Sequence, residues 1–303
     1  MQTRSLVSSI ACIACIALVI GAAACSDSTA PSGLDSSGTF DAQVSGDLAP
    51  SAGDAIANDY AFYSAADLTG SGAAFSINAA GARLIAPGGG VSAAIQAPPR
   101  AAAAWISPSC IFDPTTGRFA CPPVSKNDQT WTVSYSLMDA NGATQSQYDN
   151  VTTAAINFIV SDTGAVAYTN NGNSFADTVS RRHNRTVSGL AGAPDTVHAW
   201  NGTGTSAIRS VRSGQITKVY EFRSSDTTTA VRFKQPRDIN PYPLSGTIVR
   251  SYTVSRTRFA SDTTTRTASR RVVVTFNGTA NVPMTVGSDS YTLNLDTHKV
   301  TKQ

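Results

Sequence analysis

Runs of alternating apolar and polar residues occupy most of the chain from Thr130 onward, the period of a strand that buries one face. Trp131, Val133, Tyr135 and Leu137 alternate with Thr132, Ser134 and Ser136, and Asp139-Ala140-Asn141-Gly142 follows with turn chemistry. Ala154, Ile156, Phe158 and Val160 repeat the pattern, which Ser161-Asp162-Thr163-Gly164 is expected to end before a short resumption at Ala165–Tyr168. Lys218 to Gln235 predicts a hairpin, with Tyr220 and Phe222 on the apolar side of one arm and Val231 and Phe233 on that of the other. The loop between them is Ser225-Asp226-Thr227-Thr228-Thr229, and the same five residues recur as Ser261–Thr265 between two further runs. Those runs, Thr247–Phe259 and Arg266–Phe276, predict a longer pair with Val272, Val274 and Phe276 on one side. A last strand, Ser290–Val300, puts Tyr291, Leu293 and Leu295 on one face. Asn201-Gly202-Thr203 and Asn277-Gly278-Thr279 echo each other and are expected to be turns of the same meander.

Asp54–Leu68 is the best helix candidate, and the stretch from Asn150 could equally start a helix with Asn150 as its cap. In Asp54–Leu68 the residues Ile56, Tyr60 and Tyr63 share a face, Ser51 and Asp54 stand at capping-box spacing, and Gly70-Ser71-Gly72 stops the run. Residues 70–99 are dominated by Ala, Gly and Pro, with weak strand signals at Phe75–Ile77 and Ala82–Ile85. Together these elements predict a mainly β chain: one large antiparallel sheet, strongly curved or sandwich-like, with one short N-terminal helix.

Ahead of the helix the pattern changes twice. Arg4 is followed by an uncharged, largely apolar run to Ala24 and then Cys25, the form of a secretory signal. Residues 25–52 are rich in Ser, Gly, Asp and Ala and carry a single aromatic, Phe40; such a segment buries too little apolar surface to offset its ordering and is expected to be a flexible tether. The expected organisation is therefore a signal at 1–24, a tether at 25–52 and one extracytoplasmic β domain at 53–303.

Of five cysteines, Cys12 and Cys15 fall inside the signal. Cys110 and Cys121 flank Ile111-Phe112-Asp113-Pro114-Thr115-Thr116-Gly117-Arg118-Phe119-Ala120, whose Pro-Thr-Thr-Gly centre is a turn, so the two stand on opposing arms of a hairpin. An even pair in an exported chain predicts a disulfide.

Gly21-Ala22-Ala23-Ala24-Cys25 resembles the lipobox of bacterial envelope lipoproteins, and Cys110, Cys121-Pro122 and the Thr-rich C-terminal runs are similar to that class in style. The resemblance implies cleavage before Cys25, diacylglycerol on its sulfur, and membrane attachment at roughly 0.8 kcal/mol per buried CH₂. Ser26, where Asp is the inner-membrane retention residue of enteric bacteria, implies passage to the outer membrane.

Charge is unevenly placed. Residues 25–180 hold 13 acidic and 4 basic side chains, residues 181–303 hold 7 and 18. The halves can complement each other within one fold, or the basic half can present a face to an anionic lipid, a glycan or an envelope protein. Arg232, Lys234, Arg250, Arg256, Arg258 and Arg270 are the candidates for such a face. Nucleic acid is a poor fit to the exported compartment, and no recognition motif accompanies the charge.

Catalytic signals are sparse. His183 lies in Arg181-Arg182-His183-Asn184-Arg185, His298 near the C-terminus, and His198 beside Asp195 could orient a base but shares parity with Trp200 on a strand. Glu221, the only Glu, is expected in a surface ion pair with Arg223. The sequence holds no H-E-x-x-H, G-x-S-x-G or phosphate-loop pattern, so no catalytic, metal or cofactor residue is named. The expected role is a membrane-anchored envelope lipoprotein acting by binding or as structure; the alternative is an extracytoplasmic hydrolase whose site only the fold assembles.

Overall fold

The computed structural model describes residues 110–303, except 127, 171–172, 192–196, 215, 236–238 and 260–262, together with helical residues 48–50, 52–53, 55–56, 59–60 and 63. The expected mainly β architecture is found as one open antiparallel sheet of 14 strands. In chain order these are β1 (Ile111–Asp113), β2 (Arg118–Ala120), β3 (Val124–Lys126), β4 (Gln129–Met138), β5 (Thr144–Gln145), β6 (Ala155–Asn170), β7 (Asn173–Ser188), β8 (Val197–Ser213), β9 (Thr217–Lys234), β10 (Ser245–Phe259), β11 (Thr263–Thr275), β12 (Asn281–Val286), β13 (Asp289–Asn294) and β14 (Val300–Lys302). Spatial order follows chain order from β6 to β14, and β1, β2, β3 and β5 are arranged around β4.

The sheet has to curl. Twelve flat strands at about 4.8 Å spacing would span roughly 50 Å, yet one core cluster runs from Tyr135 on β4 to Leu293 on β13 and takes in the helix. Accumulated twist bends long strands in this way, and the buried side of the curve is lined by the inward member of each alternating pair. The helix lies against it through Leu48, Ala52, Ile56 and Tyr63, all buried at helical spacing. It is already helical at residue 48, six residues before the expected start, so Leu48, Ala49 and Ala52 are buried where a tether was expected. Gly53 permits the approach, because a Cβ there would press on Val300 and lie 3.3 Å from Leu293 Cδ1.

A single register row crosses the path from edge to edge: Phe112, Phe119, Tyr135, Phe158, Arg185, Gly202, Thr228, Ile248, Val274, Met284, Tyr291, Lys302. Its first four members are aromatic, with centroids 5.0, 4.6 and 6.3 Å apart, and the series continues through Trp200 to Tyr63. Between its aromatic and aliphatic members the row turns polar at its centre, beneath Tyr63.

Several long strands replace expected pairs of short ones. Ser161–Gly164 does not end β6, which runs on to Asn170. Lys218–Gln235 is no hairpin; β9 is one strand of 18 residues with Ser225–Thr229 inside it. What the sequence presents as a loop is a change of phase. Trp200 pairs with Val231 but Gly202 with Thr228, and Ser245 pairs with Arg232 but Thr247 with Thr229. The extra residue is on β9 at Ala230, whose φ is 47°, and Asn201 Oδ1 accepts its backbone N–H at 2.8 Å. This bulge keeps Asp226 and Thr228 on the inner face and returns Val231 and Phe233 to it; without it Arg232 and Lys234 would point inward. Gly246 leaves room for the bulge, since a Cβ there would lie 2.5 Å from Val231 Cα. Asn201-Gly202 is thus mid-strand, whereas Asn277-Gly278 is a turn, with Gly278 at φ 81°. The expected last strand is likewise interrupted: β13 stops at Asn294, whose side chain accepts the N–H groups of Asp296 and Thr297, before β14 returns.

Candidate functional site

Next to the twelve-strand row, one step along the strands, His183, Gly204, Asp226, Arg250 and Val272 stand in register on β7 to β11. The two rows surround a buried set of charges. Arg185 on β7 reaches over β8 and donates through Nη2 to Asp226 on β9, and both side chains are 2% exposed. No side chain of β8 stands in the way, because the intervening residues are Gly202 and Gly204. A Cβ on Gly204 would collide with Asp226 Oδ1 and lie 2.6 Å from His183 Nδ1; one on Gly202 would lie 3.0 Å from Arg185 Cδ.

The helix closes the set from above. Asp59 falls on the same stripe as Ile56 and Tyr63 and accepts from Arg250 Nη2. Tyr63 places its ring 4.9 Å from Trp200, while its hydroxyl accepts from Arg185 Nε at 3.1 Å and meets Thr228 Oγ1 at 2.9 Å. Two carboxylates and two guanidiniums therefore form a neutral quartet. Burial alone would raise the Asp59 carboxyl, but Arg250 and Arg185 beside it hold it below its usual value. Burial opposes the charge on Arg250 and Arg185 as well, and the neighbouring acids outweigh it, with Tyr252 beside Arg250 and Tyr63 beside Arg185, so both guanidiniums are held more firmly protonated than usual. Burial pushes the Tyr63 phenol up. His183, 3.8 Å from Asp226, is pushed down to about 4, chiefly by burial, and so is neutral at physiological pH.

One step further, Arg181 clamps Asp162 from the facing position on β6, with three contacts of 2.6 to 3.0 Å. Beyond an apolar row of Val179, Ile208, Phe222, Val254 and Ala268 comes a second polar one: Asp177, Ser210, Tyr220, Arg256 and Arg266. Asp177 is buried, and burial raises its carboxyl; Ser210 opposite it and Arg212 moderate the rise.

The residues singled out from sequence are distributed as follows. Cys25 lies outside the described residues. Cys110 and Cys121 are joined as a disulfide with Cα atoms 4.1 Å apart, on either side of the expected turn, where Gly117 N–H donates to Asp113 O. The six basic residues do not share a face. Arg232 and Lys234 are exposed on the outer side of β9, whereas Arg250 and Arg256 are buried on the inner side of β10 and Arg258 and Arg270 share their parity. Glu221 pairs across the outer surface with Arg209 at 4.0 Å, in place of the expected Arg223. His198 is buried with Nδ1 3.0 Å from Gln235 Nε2, and Asp195 lies outside the described residues.

Sequence reasoning missed the quartet. Two signals could have found it: a charged residue, Asp59, inside the apolar stripe of the one helix, and Gly202-x-Gly204 on the inward parity of a strand whose flanking strands carry Arg185 and Asp226. Among the described residues, no group of His, Cys, Asp and Glu is arranged to hold a metal ion, and no helix is long and apolar enough to cross a membrane. Protein-family models, curated protein sequences and solved structures all fail to match this chain.

Proposed function

We propose that this chain is a lipid-anchored protein of the cell envelope, probing its surroundings through a non-catalytic binding surface on a curved β scaffold. The observation that carries the non-catalytic half is the quartet. Four buried charges are committed to one another and fasten the helix to β7, β9 and β10, Asp226 to Arg185 and Asp59 to Arg250. Neither histidine of the central strands suits a general base. His183 is pushed down to about 4, too weak to draw a proton effectively near neutral pH, and His198 is held by Gln235. The envelope half is supported by the leader, by Cys25 at its end, and by a disulfide, a bond suited to an oxidising compartment. Ser26 supports the outer membrane as the destination.

Membrane fractionation of the source cells, followed by intact mass of the extracted protein, tests the anchor. The expected species begins at Cys25 and carries diacylglycerol, and Cys25→Ser releases it or leaves it unprocessed. Recovery of the full-length chain from cytosol, with its leader intact, would overturn the proposal.

A further inference from the structure

The two faces of the sheet differ in charge. Asp162, Asp177 and Asp226, the aspartates of β6, β7 and β9, all face inward and are buried. The outward positions of β7 to β11 carry Arg182, Arg209, Arg223, Arg232, Lys234 and Arg271, and among the described residues Glu221 is the one acid beside them. Arg209 already faces that carboxylate at 4.0 Å. Arg182, Arg223 and Arg271 are exposed, and within the described residues none of their side chains makes a hydrogen bond or an ion pair. One outward row crosses β4 and β6 to β11 as Thr132, Ser161, Arg182, Thr205, Ser225, Ser251 and Arg271, so every member offers a hydroxyl or a guanidinium. Arg182 and Arg271 are four strand spacings apart, about 19 Å. Arg223 stands between them on β9, at the outward position next to Ser225. Beside Arg182, the Arg118 guanidinium donates only to neutral oxygens of Ser134, Ser136 and Asn157. Burial and then the charge of Arg182 make Arg118 easier to deprotonate than usual, the mark of two cations facing each other without a counter-ion. Such a surface raises the local concentration of anions.

We propose that the outward face around Arg182, Arg223 and Arg271 docks a linear acidic polysaccharide lying across the strands. Its carboxylates meet the guanidinium forks. Its hydroxyls exchange hydrogen bonds with Thr205, Ser225 and Ser251, all exposed between Arg182 and Arg271. Three features favour this occupant. The guanidiniums are too far apart to close on one small anion, whereas a chain of repeating charge touches each in turn. The face lies on the convex side of the curled sheet, which a planar bilayer meets only along a narrow strip. The row itself holds no apolar side chain to enter a bilayer, and the exposed Val197 and Phe259 lie at the ends of β8 and β10. This inference rests on the binding role proposed above and names its ligand. It does not need the anchor at Cys25.

Calorimetric titration of the purified full chain with a long oligogalacturonate tests it, with a dextran of similar length as the neutral control. The oligogalacturonate is expected to bind at least about tenfold more tightly than the dextran, and to weaken at least about tenfold between about 0.05 and about 0.5 M sodium chloride. Arg182→Gln with Arg223→Gln and Arg271→Gln is expected to weaken it at least about tenfold at an unchanged Tm, since all three side chains are exposed. Arg232→Gln with Lys234→Gln, at the far end of β9, removes charge away from the row and should change affinity by less than about twofold. Phosphatidylcholine and phosphatidylglycerol vesicles separate the face from the anchor. A lipid on Cys25 inserts into both alike, so preference for phosphatidylglycerol reports the basic face, and failure to bind either counts against the anchor alone. Absence of oligogalacturonate binding by the parent chain, full binding by the folded triple variant, an equal loss in the Arg232 and Lys234 variant, or a strong preference for phosphatidylglycerol would each overturn the assignment.

Discussion

Arg185 and Asp226 are on strands that do not touch, and their side chains meet above the two glycines of the strand between. The pair joins the helix to the sheet through Tyr63 as well, since Arg185 Nε donates to the hydroxyl that also meets Thr228. Its position makes the intervening strand unusually intolerant of side chains.

Gly204→Ala is expected to destabilise the fold by about 2 kcal/mol, because the new methyl group would displace Asp226 and His183 together. Denaturant unfolding of the variant measures the loss. A midpoint equal to that of the parent would show that Arg185 and Asp226 do not meet over β8.

Removing one partner of the buried pair should cost more than removing both. Arg185→Leu leaves Asp226 buried without its main donor and is expected to lose about 3–5 kcal/mol. Arg185→Leu with Asp226→Leu should recover part of that loss, giving a coupling energy of at least about 1 kcal/mol in a double-mutant cycle. Additive losses would mean that the two charges act independently.

His183 sets a pH dependence of known sign. It faces Asp226 on β9, Arg185 on its own strand, Asp59 on the helix and Arg250 on β10. Its pKa falls from an ordinary 6.5 to about 4, so on acidification the unfolded chain takes up the proton first. The stability tied to its neutral form is complete above about 6.5 and is lost as pH falls toward 4, with a slope of at most about 1.4 kcal/mol per pH unit for one proton. Asp59, held below its usual value, extends the loss at still lower pH. Unfolding free energies between pH 7 and 4 should flatten in His183→Gln; an unchanged slope would assign the dependence to other groups.

The disulfide acts locally. Its loop is short, and the chain-entropy model gives about 3 kcal/mol for a loop of this size. Cys110→Ser with Cys121→Ser is expected to lower stability by up to that amount and to raise amide exchange chiefly in β1 and β2, while β7 to β10 keep their protection. Uniform loss of protection would show the hairpin to be integral to the whole sheet.

Much of the β architecture was visible in the alternation alone, because a sheet with one buried face writes its period into each strand. Trp131 to Leu137 and Tyr291 to Leu295 are buried as that period requires. The Cys110–Cys121 hairpin was visible because its turn chemistry is local. The clearest failure concerns one pentapeptide. Ser225–Thr229 lies within β9, while the second copy overlaps a hairpin, with Thr263 paired to Phe259 across it. Local sequence could not separate them, because the first copy is kept extended by neighbours far along the chain: β8 and β10 on either side, and Arg185 and Tyr63 on Asp226 and Thr228. The bulge at Ala230 then reversed the parity of the strand and made one strand look like two. The quartet escaped notice for the same reason, since its members are brought together by topology over separations of 41 to 191 residues.

That last separation sets an order of events. Asp59 is synthesised long before Arg250, so the helix emerges with its ionic partner still to come. Until β10 arrives, the carboxylate has no reason to leave water and the apolar stripe beside it has no complete surface to cover. Docking must then follow the pairing of β7 to β10 and close a contact 191 residues apart in the chain, and contacts of that range form slowly. A chain built this way stays pliable through most of its synthesis and becomes rigid only near the end.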